Sequence, residues 1–331
     1  QAEIYLFERG PDVSFANCGL PYYLGGVITD RQKLLVATPE RFRDWFNVEV
    51  RTRSEVRRID RDARTIEVAN TQTGATTTES YDALVLAPGA APLRPPVPGV
   101  DLPGIFTLRN LEDVDQIHAW IGRREGARAL VVGAGYIGLE MAESLSRRGL
   151  DVVLVEKLDQ VLATMDPEMV APAEAELQKQ GVQLRLGSGV ASFAEGPSGA
   201  ITATTDDGDE IAADVVILAV GVKPDVQLAR DAGLPIGPCG GIEVDRQMRT
   251  ADAAIWAVGD AVEVRDWITD RPALIPLAGP ANRQGRIAAA SICARDGEFR
   301  GTQGTAVVGV FDLTLAATGA SEKSLERVEM A

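Results

Sequence analysis

Histidine is nearly absent from this 331-residue sequence: His118 stands alone, and only three cysteines, at 18, 239 and 293, accompany it. So few soft ligands, so widely scattered, assign no metal site and no disulfide framework. Basic charge is short as well. Against 33 lysines and arginines stand 48 acids, and the net charge of −15 argues against nucleic acid and anionic membrane surfaces as partners, since both need a basic face. No apolar run approaches the roughly 18 residues of a membrane span. No secretory signal opens the chain, which together with the sparse cysteines fits a reducing cytoplasm. The sequence starts without Met on "QAEIYLFERG", a strand in progress, and stops at "SEKSLERVEMA" without a closing pattern, so both ends are expected to be missing.

What is present suffices for two domains and a fragment of a third. The clearest unit is "VVGAGYIGLEMAESLSRRGLDVVLVEK", residues 131–157. An apolar strand runs into Gly133, Gly135 and Gly138, a helical stretch follows, Gly149 ends it, and a second strand finishes on Glu156. Such glycines allow a tight turn and close approach of backbone N–H groups to a pyrophosphate, and the acid is placed to accept from ribose hydroxyls. An acid there favours NADH over NADPH, whose extra phosphate it would repel. "EIYLFERG" reads as the last strand of a second such unit, with Glu8 in the place of Glu156. "DALVLAPGA" (82–90) and "DVVILAVGVKPD" (214–225) are matching buried strands ending in Gly, the mark of an internal duplication. "TADAAIWAVGDAVEV" (250–264) carries a strand into Gly259-Asp260, where a carboxylate can hold a polyol chain. A small-residue helix is expected within 275–294. The Pro-rich stretch 91–104 reads as a domain crossover and the stretch near 245–252 as the return.

Together these pieces resemble the pyridine nucleotide–disulfide oxidoreductases, flavoproteins with tandem FAD and NAD(P)H domains, over nearly the whole chain. The resemblance implies an α/β fold with two Rossmann-like domains. A discontinuous FAD domain would span 1–98 and 252–300 without its glycine-loop unit, an inserted NAD(P)H domain 99–251, and residues 301–331 would begin a C-terminal α+β dimerisation domain. "SFANCGLPYY" narrows the likeness to the single-cysteine branch: coenzyme A–disulfide reductases, NADH oxidases and peroxidases, and persulfide or polysulfide reductases. It implies Cys18 as the redox-active residue, with Ser14 and Asn17 in the substrate pocket. Glu8, Val56, Ala87, Asp260 and Ala278 match FAD-contacting positions. Ile137, Glu156 and Gly221 match NAD-contacting ones, and Tyr136 resembles an aromatic gate over the nicotinamide. The sequence departs from the pattern at Phe46, where some reductases carry a coenzyme A–holding lysine, and at Asn282, where a pocket histidine stands.

The two-cysteine branch carries a C-x4-C pair, but position 23 is Tyr here, so Cys18 has no local partner. Free cysteine is often a small buried hydrophobe. A helix start directly after the sulfur, which "CGLPYYLGG" suggests, would instead favour a thiolate. His118 reads as a surface residue of an amphipathic segment, leaving Cys18 without a histidine base; Cys239 reads as a loop thiol and Cys293 as core. Arg41, Arg43, Arg51, Arg53, Arg57, Arg58, Arg61 and Arg64 form a basic island that reads as a solvated face or as an attractor of coenzyme A phosphates. The activity expected is electron transfer from NADH, with NADPH possible, through FAD to Cys18 and on to a small-molecule disulfide or persulfide, in a homodimer. Three alternatives stand beside it: an oxidase or peroxidase using a cysteine sulfenic acid, a ferredoxin-reductase-type electron transferase that does not need Cys18, and an inactive NADH-binding fragment.

Overall fold

The computed structural model describes residues 2–122, 127–196 and 199–330. The chain forms two compact units: residues up to 15, 35–91 and 223–304 make the first, and 16–34, 92–222 and 305 onward the second.

In the first unit, the strand Ile4–Phe7 runs parallel to Val48–Arg51, in register from Ile4 with Val48 to Phe7 with Arg51. Leu84–Leu86 runs parallel to Ile255–Ala257. An antiparallel meander of Ser54–Asp60, Thr65–Asn70 and Thr76–Ser80 covers one side. Its inward residues Ile59, Ile66 and Val68 close a core with Leu86, Ile242, Met248, Ile255 and Trp256. Each buried side chain of this size contributes on the order of 2 kcal/mol of apolar transfer.

The second unit is built on a five-stranded, all-parallel sheet. Its strands lie in the order Ile105–Phe106, Val215–Leu218, Arg128–Val132, Asp151–Glu156, Gln183–Leu186. Val215–Leu218 is buried at all four positions, as a central strand covered on both faces must be. The chain leaves Arg128–Val132 toward Asp151–Glu156 on one side, while Val215–Leu218 lies on the other. The order therefore reverses beside Val132, and that is where open parallel sheets bind ligands.

Three helices of this unit bear on the site. Leu111–Ile121 starts at a capping box: Asn110 Oδ1 accepts from Asp113 N at 2.8 Å, and the Asp113 carboxylate accepts from Asn110 N at 3.3 Å. Such a cap is worth about 1 kcal/mol. Leu111, Val114, Ile117 and Ile121 form its buried stripe. Tyr136–Arg147, the glycine-loop helix, ends as the sequence indicates at Gly149, whose φ is +86°. Gly149 N donates to Ser146 O and Leu150 N to Leu145 O, the paired bonds of a Schellman end. The short helix Leu20–Leu24 continues a 3-10 turn, Asn17–Gly19, and packs on both longer helices.

The strand-like stretch near the C-terminus is a hairpin rather than one strand. Ala306–Val310 and Leu313–Ala317 pair antiparallel around Phe311-Asp312, with Phe311 at φ +53°.

Candidate functional site

In the second unit, Val132 leads into Gly133, whose φ of +100° is open to glycine alone at little cost. A Cβ there would lie 2.5 Å from Ala219 O, at the end of the neighbouring strand. Gly138 sits over the same turn, and a Cβ on it would overlap Gly133 O. Gly135 caps the helix without any side-chain hydrogen bond, is exposed, and has no atom within 4 Å of where a Cβ would stand. The first N–H groups of a twelve-residue helix thus face open space with no acid in the first turn, which suits an anion.

Glu156 borders this turn. Its Oε2 accepts from Ala134 N at 2.7 Å and its Oε1 from Leu158 N at 2.9 Å, so the backbone itself orients the carboxylate. Gly221, at φ +110°, lies just beyond Val215–Leu218 and accepts from Leu93 N at 2.9 Å. Tyr136 is half-buried and Ile137 exposed at the first turn of the helix. Seven sequence-identified positions, Gly133, Gly135, Tyr136, Ile137, Gly138, Glu156 and Gly221, therefore meet at one sheet edge.

The first unit gathers two further groups. Glu8 ends the strand Ile4–Phe7; its carboxylate accepts from Gly10 N at 2.7 Å, and its carbonyl accepts from Ser54 N at 2.8 Å, two residues before Val56. The other group forms at the end of the parallel pair Leu84–Leu86 and Ile255–Ala257, where Val258 N donates to Leu86 O. Ala87 leaves one strand there and Asp260 sits in the turn Gly259–Ala261 after the other. The turn packs on the helix Ala278–Ile292, and Gly259 N donates to the buried Gln284 Oε1 at 2.7 Å. That helix opens at Ala278 without a side-chain cap, and no atom lies within 4 Å of a Cβ built on Gly279. These residues fit a dinucleotide cofactor such as FAD: a strand-end acid, a second acid in a turn, and an uncapped helix start with room before it.

Cys18 is exposed, in the 3-10 turn that feeds Leu20–Leu24, as the helix start after the sulfur predicts. Asn17 shares that turn in the second unit. Ser14 belongs to the first unit, on the short strand paired with Leu35–Ala37.

Some expectations need correcting. His118 is not a plain surface residue: it is half-buried and stacks on Tyr23, with ring centroids 5.5 Å apart. Burial and then the Arg148 charge lower its pKa, against a smaller opposing effect of Asp115. Cys293 is exposed at the C-terminal cap of Ala278–Ile292, where the last turn projects from the core. Cys239 is an exposed loop thiol as read; burial and the nearby Glu263 raise its pKa. The basic island is largely neutralised. Arg43, Arg51, Arg57, Arg58 and Arg61 pair with Asp44, Glu49 and Glu79, Glu55, Asp60 and Asp252 respectively. Arg41 lies over the Trp45 ring at 4.2 Å. A solvated, paired face accounts for these arginines better than a phosphate attractor does.

The sequence reading passed over Glu140. Burial, and then the Glu143 charge, push Glu140 up to about 7. The available signal was an acid flanked by Leu139 and Met141, both fully buried.

Residues 1–292 match the pyridine nucleotide-disulphide oxidoreductase family. The coenzyme A disulfide reductase of Staphylococcus epidermidis is 36% identical over 330 residues, covering 99% of this chain and 74% of the relative. Reduced Bacillus anthracis CoADR-RHD superposes with a TM-score of 0.96 at 46% identity, over 99% of this chain and 59% of that one. An NAD-dependent persulfide reductase from A. fulgidus superposes at 0.95 with 35% identity, over 99% and 61%. The chain thus spans about three-fifths of the length of those two structures. With its fold, its glycine turn and these likenesses in agreement, the chain belongs to the pyridine nucleotide-disulphide oxidoreductase family.

Proposed function

We propose that the chain is the catalytic part of an FAD-dependent NAD(P)H oxidoreductase that reduces a small-molecule disulfide or persulfide, of the coenzyme A disulfide kind, through Cys18. One observation carries the reading. The helix that follows the exposed Cys18 packs directly on the helix that opens at the glycine turn, so thiol and nucleotide site share a single scaffold.

The Cys18 thiolate attacks one sulfur of the substrate; a sulfur–sulfur bond to Cys18 forms, the substrate's own bond breaks, and the other half leaves as a thiolate. Asn17, beside it in the turn, orients the incoming substrate. The glycine turn holds the NAD(P)H pyrophosphate on the free N–H groups of Tyr136–Arg147, and Glu156 accepts from the adenosine ribose. Its negative charge makes NADH the preferred donor and NADPH the weaker one. Tyr136, with Ile137 and Gly221, borders the nicotinamide. Glu8 and Val56 would hold the adenosine end of FAD, and Ala87, Asp260 and Ala278 the flavin end. Bound FAD supplies the two-electron relay between nicotinamide and thiol that this chemistry requires. Similarity to a coenzyme A disulfide reductase and a persulfide reductase supports the substrate class. Among the described residues no helix is long and apolar enough to cross a membrane, and the three exposed free thiols favour a reducing cytoplasm. A homodimer is the proposed assembly of the full-length protein.

The test is NADH oxidation by FAD-loaded protein with coenzyme A disulfide as acceptor. Cys18→Ser should cut the disulfide-dependent rate at least a thousandfold and leave NADH binding intact. A Cys18→Ser protein that keeps its rate would remove the thiol from the mechanism.

A further inference from the structure

The middle residue of the glycine turn, Ala134, is held at both of its backbone groups. Its N–H donates to Glu156 Oε2 at 2.7 Å, and its carbonyl accepts from Leu162 N at 2.9 Å. Ala134 is buried, so these two bonds fix the peptide planes on either side of it. The second bond comes from the loop 157–166. There Leu162 is buried in a left-handed conformation, at φ +44°. A leucine keeps such a backbone only where its surroundings over-determine it.

What holds the loop is one side chain inside it and another far along the chain. Gln160 is buried; its Nε2 donates to Met165 O at 2.9 Å, and Met165 N donates to Leu162 O at 2.8 Å. Gln160 Oε1 accepts from Lys323 Nζ at 2.6 Å, 163 positions away. The short helix Glu322–Glu326 brings Lys323 there, and the loop itself caps that helix. The Asp166 carboxylate accepts from Glu322 N at 3.1 Å and from Lys323 N at 3.2 Å. On its other side the loop is tied to the helix Pro167–Lys179, where Glu174 Oε1 accepts from Val161 N at 3.1 Å. Hydrogen bonds thus lead from Lys323 through Gln160, Met165 and Leu162 to Ala134, all within the second unit.

We infer that Gln160 and Lys323 are positioning residues for the nicotinamide dinucleotide. They set the loop 157–166 and, through Leu162, the Ala134 carbonyl, so that the glycine turn is shaped for a pyrophosphate before one arrives. The inference rests on the reading of that turn as the NADH site. In this role neither side chain touches the nucleotide. Linkage makes the effect reciprocal: loosening Lys323 weakens NADH binding, and bound NADH steadies the helix that carries Lys323.

Lys323→Met keeps the aliphatic stem and removes the donor. In a fluorescence titration it should bind NADH at least about fivefold more weakly than the parent, and Lys323→Arg, which keeps a charged donor, should stay within about twofold. Amide hydrogen exchange separates positioning from general loosening. In Lys323→Met, exchange should quicken at least about fivefold across 158–166 and keep the parental rate in the strand Arg128–Val132. NADH should slow exchange across 158–166 and 322–326 in the parent, and should no longer slow the second segment in Lys323→Met. Gln160→Met should weaken NADH as well, and adding Lys323→Met to it should cost nothing further, because both cut one link. Parental NADH affinity in Lys323→Met, exchange quickened equally in loop and strand, or additive losses in the double variant would each overturn the positioning role and leave the nucleotide site standing. If the parent itself binds no NADH, the reading of the glycine turn fails and the positioning role falls with it. Should Gln160→Met not fold, the two Lys323 variants still decide.

Discussion

Gly138 passes so close over Gly133 that a methyl group on the one would occupy the carbonyl oxygen of the other. Gly135, between them, has open space at the same position and an ordinary φ of −77°. Crowding thus requires Gly138, as it does Gly133, whereas Gly135 is required only by what approaches it.

Alanine substitutions should separate the two. Gly138→Ala should lower the melting temperature by several degrees or more, because backbone must move to admit it. Gly135→Ala should melt with the parent and yet bind NADH at least about tenfold more weakly, since its methyl intrudes where the pyrophosphate would lie. Thermal unfolding and fluorescence titration with NADH check both; equal NADH affinity in Gly135→Ala and parent would move the nucleotide elsewhere.

Glu156 both braces the turn and meets the ribose in the reading proposed here. Glu156→Gln keeps an acceptor for Ala134 N but loses the charge. It should retain most of the stability while narrowing the preference for NADH over NADPH by about tenfold. Parallel titrations with the two nucleotides measure this, and an unaltered preference would show that the charge does not select between them.

The pH dependence of stability should carry a Glu140 signature. Its folded pKa of about 7 lies above the roughly 4.3 of a free glutamate, so between those values the folded state binds more protons than the unfolded one. Stability from this group is present below the unfolded value and is lost as pH rises through about 7. Glu140→Gln should therefore flatten the decline in melting temperature from acid to mildly alkaline pH by a few degrees. A parallel pair of profiles would contradict the assignment.

Asp252 works in the opposite sense. The Ala254 N–H and then the Arg61 guanidinium, at 2.7 Å, hold its carboxyl below the usual range. Its contribution is present above the unfolded pKa and lost as pH falls through the folded one. Asp252→Asn should cost a few degrees of melting temperature at neutral pH and less in acid, as read by calorimetry. An equal loss at both pH values would mean that charge plays no part.

Much of the nucleotide site was legible in residue order because its causes are local. The positive φ of Gly133, the crowding at Gly138 and the Schellman end at Gly149 all arise within one strand, one turn and one helix, and there the glycines are nearly forced. The helix start at Cys18 and the strands ending at Leu86 and Leu218 belong to the same class.

Relations across long stretches of chain were settled only when each unit folded. Tyr23 and His118 lie 95 positions apart, and nothing in either neighbourhood announces their stacking. Five of the eight arginines of the basic island found carboxylates, one of them Asp252, 191 positions from Arg61. Cys293 lies in an alanine-rich segment that reads as core, yet it falls where its helix has already left the core. The protonation of Glu140 depends on how deeply neighbouring elements bury a carboxyl beside a second one. Turn conformations are enforced by sterics between adjacent residues and so are written into the order of amino acids, whereas desolvation and charge pairing depend on distances that exist only after distant segments have met.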